Sequence, residues 1–149
     1  MSNPRAVTTE ITHHVRDTCL CLHLQRAARA VARRFDDAFR PLGLTSGQYS
    51  LMMSLNRAEP PSVGRIATAL AMDRTTLTAN LKPLVRRRLV KVSVDPADRR
   101  ARRLTLTPAG RALLGRAVPV WNDTHAAIEN SLVRSDPDRL RKDLRALSA

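Results

Sequence analysis

Residues 73–110 read DRTTLTANLKPLVRRRLVKVSVDPADRRARRLTLTPAG, and the spacing of the apolar residues changes once along this stretch. In its first half they recur at the spacing of one helix face, and Asp73 stands where a helix N-cap is expected. From Val90 to Val94 apolar and polar residues alternate, which predicts a strand. Residues 95–98 (DPAD) predict a turn, and residues 103–107 (RLTLT) predict the returning strand. The stretch therefore predicts a helix followed by a two-stranded hairpin.

The N-terminal part of the chain combines a polar segment with a long amphipathic one. Residues 1–12 lack a hydrophobic pattern and are expected to form a loose arm. From Val15 to Phe39 apolar residues recur at helical spacing, which predicts one long helix that ends near Gly43.

Two short helices are predicted between the long helix and Asp73. The sequence TSGQ at 45–48 has the form of a capping box, and Ser62 is a candidate N-cap for the next helix. Only Ala71 and Met72 separate that helix from the one that follows Asp73. These proportions predict a helix-turn-helix, with the hairpin as its wing.

The residues after the hairpin predict two more helices. Thr107 and Pro108 have the types preferred at an N-cap and at the first helical position, and Pro119 is expected to kink the helix. Residues 135–138 (SDPD) predict the start of the last helix. The expected fold class is mainly α, a winged helix-turn-helix with these boundaries: 45–107 for the winged helix-turn-helix, and 13–44 with 108–149 for a helical region.

Basic residues outnumber acidic ones two to one. The sequence holds 26 lysines and arginines against 13 aspartates and glutamates, a formal net charge of +13. Most of the excess is arginine, whose planar guanidinium suits phosphates and base edges. A genome that favours arginine codons explains part of this excess. The charge nevertheless predicts a polyanionic partner: DNA, RNA or an acidic membrane surface.

The helix after Asp73 carries hydroxyls, an amide and cations, but no carboxylate beyond its cap. Arginine can pair with guanine, asparagine with adenine, and threonine can contact a thymine methyl or a phosphate. A solvated helix face usually alternates Glu with Lys, so this one predicts a helix that enters the major groove. Its predicted outward positions are Arg74, Thr75, Thr76, Thr78, Asn80 and Lys82.

The hairpin tip carries a second basic cluster. Arginines on a thin loop can enter a narrow minor groove, whose negative potential attracts them. Asp98 is expected to accept hydrogen bonds from Arg100 and so fix the shape of the tip. The tip arginines are Arg99, Arg100, Arg102 and Arg103, and Arg86, Arg87 and Arg88 are expected to contact phosphates.

Two segments resemble the MarR family of regulators. Residues 95–100 (DPADRR) and 104–110 (LTLTPAG) resemble that family's wing signature, an Asp-x-Arg that leads into Leu-Thr-x-x-Gly. Residues 42–49 (LGLTSGQY) resemble its entry into the second helix, and the similarity covers residues 15–147. The resemblance implies a homodimer in which the first helix and the last two helices of each chain intertwine. It implies binding to a pseudo-palindromic operator, usually as a repressor, with Arg74, Thr75, Thr76, Thr78 and Asn80 on the reading helix and Arg100 on the wing.

The chain departs from the family pattern at two positions. Arg88 stands where the family usually has glycine, and a left-handed backbone there costs about 1 kcal/mol relative to glycine. Pro83 lies inside the fourth predicted helix and removes one of its hydrogen bonds.

Two sites are candidates for sensing a signal. Leu20-Cys21-Leu22 resembles the segment of the peroxide-sensing branch that carries the reactive cysteine. That branch supports its cysteine with tyrosines, and the corresponding positions here hold Gln25, Phe35 and Ser46. Cys21 is therefore expected to be a small buried apolar residue, with thiol-based redox sensing as the alternative.

The second candidate is the pocket that the family usually has between its dimer region and its winged domain. A basic group beside apolar walls suits an organic acid, so release by a small aromatic or acyl ligand is expected. The residues expected near this pocket are His23, Arg26, Phe35, Met52 and Met53.

Other classes of function find less support in the sequence. It lacks a Gly-rich phosphate loop, a His-Glu-x-x-His motif and a nucleophile elbow, so neither an enzyme nor a cofactor is expected. Cys19, Cys21 and His23 would point in different directions on a helix, so no metal site is expected. No apolar run suggests a signal peptide or a membrane span, and the expected location is the cytoplasm. A non-specific architectural DNA-binding protein is the alternative to a sequence-specific regulator.

Overall fold

The computed structural model describes residues 6–149. In this part of the chain the elements are α1 (Thr9–Thr18), α2 (Leu20–Phe39), α3 (Ser46–Ser54), α4 (Val63–Ala69), α5 (Arg74–Arg86), β1 (Val90–Val94), β2 (Arg102–Leu106), α6 (Pro108–Asn130) and α7 (Pro137–Leu147). The mainly α class with a two-stranded wing is confirmed.

The N-terminal helical segment is two helices, so the prediction of one long helix was wrong. Cys19 has extended backbone (φ −68°, ψ 107°) and separates α1 from α2. The Thr18 hydroxyl donates to the His14 carbonyl at 2.7 Å, a back-bond that weakens and bends helices. The predicted loose arm was also too long, because the Thr8 hydroxyl accepts from the Ile11 N–H and caps α1. Residues 1–5 of that arm lie outside the described residues.

The junction between α2 and α3 is a tight left-handed turn. A 3₁₀ turn at Arg40–Leu42 follows α2, and Gly43 then has a φ of +65°. The predicted capping box at the start of α3 is confirmed: the Gln48 N–H donates to the Thr45 hydroxyl oxygen, and the Thr45 N–H donates to Gln48 Oε1. Asp36 of α2 reinforces this end, since its Oδ1 accepts from the Ser46 N–H at 2.6 Å. The end of α2 therefore fixes the start of α3.

The helix-turn-helix consists of α4 and α5, as predicted. The Ser62 hydroxyl caps α4 by accepting from the Arg65 N–H at 3.3 Å. The chain turns through Ala71, which has a φ of +48°. Helix α5 continues through Pro83 to Arg86, and Arg88 beyond it has a φ of +57°, which is the left-handed conformation anticipated for that position.

The wing is an antiparallel hairpin with Val90 opposite Leu106 and Val94 opposite Arg102. Strand β2 begins at Arg102, one residue before the predicted start. The Leu104 N–H donates to the Pro61 carbonyl at 3.1 Å, so the loop before α4 holds the base of the wing. Thr107 caps α6 as predicted and also ties the wing to the end of α5, because its hydroxyl donates to the Arg88 carbonyl at 2.7 Å.

The core joins α5 to the rest of the chain through buried apolar side chains. Leu77 and Leu84 of α5 are fully buried, and Leu104 of the wing is a fully buried member of the same core. Between α2 and α3, the rings of Phe39 and Tyr49 stack with centroids 4.7 Å apart. Removing one of these large side chains is expected to cost about 2–5 kcal/mol.

The helices at both ends of the chain leave apolar side chains uncovered. These exposed residues are Ile11 and Val15 of α1, Leu20, Leu24 and Val31 of α2, and Leu140, Leu144 and Leu147 of α7.

Helix α6 runs without a break across Pro119. None of the helices in residues 6–149 combines the length and the apolarity that a membrane crossing requires.

Candidate nucleic-acid interface

Helix α5 is held at its N-terminus by Asp73. The Asp73 carboxylate accepts from the Thr76 N–H at 2.7 Å and from the Thr76 hydroxyl at 3.1 Å. These bonds lower the pKa of Asp73 below its ordinary value, and the bond from the Thr76 backbone N–H has the largest effect. The cap therefore stays ionised at neutral pH and keeps the first turn of α5 in place.

One face of α5 is open to solvent and carries most of the predicted contact residues. Thr75, Thr78 and Lys82 follow one another at helical spacing along a shallow concave surface, with Arg74 and Ala79 beside them. The Thr78 hydroxyl donates to the Arg74 carbonyl at 2.8 Å, and the residue remains exposed. This face presents cations, hydroxyls and methyl groups, which are suited to major-groove edges and phosphates.

Two predicted outward residues lie off this face. The Thr76 hydroxyl is engaged by Asp73. Asn80 is half-buried, and its Nδ2 donates to the Thr76 carbonyl at 3.2 Å while its amide lies against Gly47 at the start of α3. The prediction that Asn80 points outward was wrong, because packing of α3 on α5 turns that side of the helix inward.

A groove between α5 and the wing gathers the wing arginines around Arg74. It is lined by residues 62–64 at the start of α4, by Arg74, and by Asp98, Arg100, Ala101 and Arg102 of the wing. Its volume is about 410 Å³. Arg74 lines both this groove and the open face of α5, so the two basic surfaces are continuous.

Two aspartates fix the wing tip. Asp98 Oδ1 accepts from the backbone N–H of Arg100 at 2.9 Å, so the predicted contact is present but leaves the Arg100 guanidinium free of it. Asp95, which sequence reasoning missed, accepts from the Ala97 N–H at 2.9 Å and from the Arg103 guanidinium at 3.1 Å. The hydrogen bond from the Ala97 N–H lowers the pKa of Asp95 most, and the hydrogen bond from Arg103 lowers it further. Arg103 therefore supports the turn, while Arg99, Arg100 and Arg102 remain exposed.

Arg86 and Arg87, at the C-terminal end of α5, make different contacts. Arg86 is exposed, as expected of a phosphate contact. Arg87 instead donates from Nη1 to the Gly43 carbonyl at 2.5 Å and from Nη2 to the Leu42 carbonyl at 3.3 Å. Arg87 is also exposed, but carbonyls at the end of α2 engage its guanidinium, and its expected contact with a phosphate stays a prediction.

Comparison with known proteins identifies the family. Residues 42–101 match the model of the MarR family. The structure of the transcriptional regulator MosR from M. tuberculosis in complex with DNA is 36% identical, with a TM-score of 0.78, over 87% of this chain and 93% of MosR. This chain belongs to the MarR family.

Two further relatives of this MarR-family chain are informative. The transcriptional repressor NicR from Pseudomonas putida is 37% identical over 76 residues, which are 51% of this chain and only 48% of NicR. The match thus spans about half the length of NicR. The regulator BpsR from Bordetella bronchiseptica, whose DNA binding is regulated by 6-hydroxynicotinic acid, is 28% identical with a TM-score of 0.71, over 87% of this chain and 91% of BpsR.

The MarR-family chain contains a mostly apolar cavity of about 490 Å³ between α3, α4 and α6. Its lining residues are Tyr49, Ser50, Met53, Ser54, Leu70, Val118, Trp121 and Asn122. Burial raises the pKa of the Tyr49 phenol, so that hydroxyl is neutral. None of these described lining residues carries a charge at neutral pH.

Of the five residues predicted for a ligand pocket, only Met53 lines this cavity. Met52 is fully buried in the core, and Phe35 packs against the core. His23 and Arg26 lie exposed on α2. The prediction placed a cation beside the ligand, but neither His23 nor Arg26 is among the residues that line this cavity. Trp121, which sequence reasoning missed, forms one wall and stacks on His125 with centroids 4.5 Å apart.

The two cysteines lie at the break between α1 and α2. Cys19 is half-buried and Cys21 is exposed, so the expectation that Cys21 is buried was wrong for the single chain. Gln25, at one of the positions that lack a tyrosine, donates from Nε2 to Cys21 Sγ at 3.3 Å. Within residues 6–149, no three His, Cys, Asp or Glu side chains cluster closely enough to bind a metal ion.

Proposed function

We propose that this chain is a transcriptional regulator that binds a pseudo-palindromic DNA operator as a homodimer, acts as a repressor and is released by a small organic ligand. DNA is a partner that explains both the net charge of +13 and its placement on α5 and the wing. Transcriptional regulation of this kind requires access to the chromosome, so the cytoplasm is the compartment that the function needs.

The position of Arg74 is the observation that carries DNA binding. Arg74 lies where the open face of α5 meets the groove that holds Arg100 and Arg102. A helix that enters a major groove and a wing that reaches the neighbouring minor groove need a continuous basic surface between them. Residues Arg74, Thr75, Thr78 and Lys82 would then contact the major groove, Arg99, Arg100 and Arg102 the minor groove, and Arg86 a phosphate.

The uncovered apolar faces of α1, α2 and α7 support a homodimer. Leu24, Leu140 and Leu144 each expose 37% of their surface, and Leu20 exposes 68%. Apolar residues repeated along helices at both ends of the chain are typical of surfaces that pack against a second copy. A dimer would place two copies of α5 in successive major grooves about 34 Å apart.

Light scattering tests the dimer. Wild-type protein should have twice the mass of the chain, and Leu144→Glu should shift it toward the monomer. Val94→Glu is the matched control, because Val94 is an exposed apolar residue of the wing and should leave the mass unchanged. A monomeric wild type would contradict the homodimer and, with it, the proposed pseudo-palindromic operator.

The cavity beside Trp121 supports a ligand without a net negative charge. Its walls are mostly apolar and carry no charge, so a carboxylate would lose part of its hydration there without gaining a cation. The expected ligand is therefore a neutral aromatic compound, in place of the organic acid suggested by the sequence. Ligand that widens the gap between α3 and α6 would move the winged domain and change the spacing of the two α5 helices.

Selection from a random duplex pool tests sequence-specific binding. Enriched sequences should be inverted repeats, and fluorescence anisotropy at fixed ionic strength should give an affinity at least about 10³-fold above that for random DNA. A ratio near one would indicate a non-specific architectural protein. In a purified transcription assay, an operator placed over the promoter should reduce transcript, and the ligand should restore it.

Exposure of Cys21 favours a second candidate signal, which is oxidation. An accessible thiol is a requirement for reaction with peroxide. Peroxide should then release operator from the wild type but not from Cys21→Ser, with Cys19→Ser as the comparison. Equal release from Cys21→Ser and wild type would remove Cys21 as the sensor.

A further inference from the structure

Two glycines at the junction between α2 and α3 each face a polar side chain, Asn80 in the middle of α5 or Arg87 just after its end. A Cβ on Gly43 would stand 3.3 Å from both Nη1 and Nη2 of Arg87. A Cβ on Gly47 would stand 3.1 Å from Asn80 Oδ1. Glycine at both positions therefore lets α5 approach the junction closely.

Arg87 makes the stronger of these two contacts. Its two Nη atoms donate to the carbonyls of Gly43 and Leu42, 44 and 45 residues away along the chain. These carbonyls terminate the 3₁₀ turn that continues α2, where a cation is favoured by the partial negative charge of a helix C-terminus. A planar fork that bonds two adjacent carbonyls fixes a direction as well as a distance.

We propose that Arg87 is a positioning residue that sets the angle between α5 and α2, and thereby the spacing of operator half-sites that the dimer accepts. The inference rests on the proposed function. Helix α2 carries part of the apolar surface that a second copy would cover, whereas α5 carries the face that would read bases. Arg87 therefore connects the dimer region to the reading helix at the point where α5 ends.

Two separate contacts along α5 together fix the tilt of the helix. Asn80 and Arg87 are seven residues apart, which is about 10 Å along a helix axis. With Asn80 packed against Gly47 and Arg87 hydrogen-bonded to the carbonyls of Gly43 and Leu42, α5 has two points of attachment in addition to its apolar packing. Loss of the attachment at its C-terminal end would let α5 tilt about the Asn80 contact while Leu77 and Leu84 stay buried.

Changing operator spacing by one base pair tests this inference. One added base pair moves a half-site by about 3.4 Å and rotates it by about 34° around the duplex. The operator obtained by selection with wild-type protein would be compared with duplexes in which the half-sites are one base pair closer or further apart. The proteins would be wild type, Arg87→Gln, Arg87→Lys and Arg86→Gln, with folding checked by circular dichroism and dimerisation by light scattering.

Arg86→Gln is the matched control, because it removes the same charge from the adjacent, exposed position. The measured quantity is the ratio of Kd for the offset duplex to Kd for the selected duplex. Arg87→Gln should lower this ratio by about tenfold relative to wild type, since it breaks charged hydrogen bonds to two carbonyls. Arg86→Gln should weaken binding to all duplexes by the same factor and leave the ratio unchanged.

The outcomes separate this inference from the function on which it rests. If wild-type protein enriches no sequence, the proposed function fails and the inference fails with it. If wild type binds its operator but Arg87→Gln keeps the wild-type ratio, only the inference is overturned. Should Arg87→Gln not fold, Arg87→Lys serves in its place, because it keeps the charge and the side-chain length but cannot bond both carbonyls in a fixed plane. A wild-type ratio in Arg87→Lys would then overturn the inference.

Discussion

Gly110, in the first turn of α6, lies so close to the carbonyl oxygen of Leu89 that a Cβ on it would stand 2.1 Å from that oxygen. The same carbonyl accepts from the Thr107 N–H at 3.0 Å. The Leu-Thr-x-x-Gly segment thus brings the start of α6 onto the backbone at the base of the wing. This relationship gives that part of the wing signature a steric reason.

Gly110→Ala should destabilise the protein by about 3 kcal/mol, because a methyl group would force backbone against backbone. Thermal unfolding measures the change. Gly115→Ala is the control, because a Cβ there would meet no atom within 4 Å beyond its chain neighbours and the backbone of its own helix. It should be stabilising by about 0.5–1 kcal/mol. Equal effects of the two substitutions would contradict the close approach.

Arg74→Gln should weaken binding to the selected operator and to random duplexes and should reduce the slope of log Kd against log salt by about one. Arg74 lies where the open face of α5 and the wing groove meet, so its charge would be close to phosphates at the edge of the major groove that it contacts. Fluorescence anisotropy across a salt series measures the slope. Arg116→Gln removes the same charge from the exposed side of α6 and should leave the slope unchanged.

Acid should remove the stabilisation that Asp73 provides. The pKa of Asp73 is lowered in the fold by the Thr76 backbone N–H and hydroxyl. A lowered carboxyl pKa contributes stability above the unfolded value, about 3.9, and that contribution is lost as pH falls through the folded value. Asp73→Asn should therefore differ most from wild type near neutral pH and converge with it in acid.

Thermal unfolding of both proteins between about pH 7 and about pH 2.5 tests this convergence. Asp143→Asn on α7 is the control for removing a negative charge. A difference between wild type and Asp73→Asn that stays constant over this range would show that ionisation of Asp73 does not stabilise α5.

A neutral aromatic compound should bind the cavity more tightly than its anionic counterpart. Benzamide and benzoate have similar shapes, and only benzoate would bury a charge against neutral walls. Trp121, the only tryptophan in the sequence, reports binding through its fluorescence. Ser50→Arg, which adds a cation to the lining, should shift the preference toward benzoate, and a preference for benzoate in wild type would contradict the assignment.

Much of the fold could be predicted because its signals are local. The caps at Thr45, Ser62, Asp73 and Thr107 each depend on a hydrogen bond to a residue three positions away. The change from helical to alternating spacing near residue 89 predicted the wing for a similarly local reason. The break at Cys19 escaped prediction because the apolar spacing continues across it.

The candidate site was predicted less completely, because charge and helical position do not specify what a side chain faces. Arg86 and Arg87 are identical neighbours and both are exposed, yet only Arg87 bonds carbonyls more than 40 residues away. Asn80 looks outward on a helical projection, but α3 packs against it. The cavity likewise needs α3, α4 and α6 to meet before Trp121 becomes one of its walls.

The order of helices and strands from α3 onward, the capped helix starts and the basic character of α5 and the wing followed from the sequence by itself. These properties depend on a residue and its neighbours within about one helical turn. Which arginines are free, where Asn80 points and where a ligand would fit were decided only by the tertiary structure. Those properties depend on packing between segments that are distant in the chain, and no local pattern encodes the direction from which a distant segment arrives.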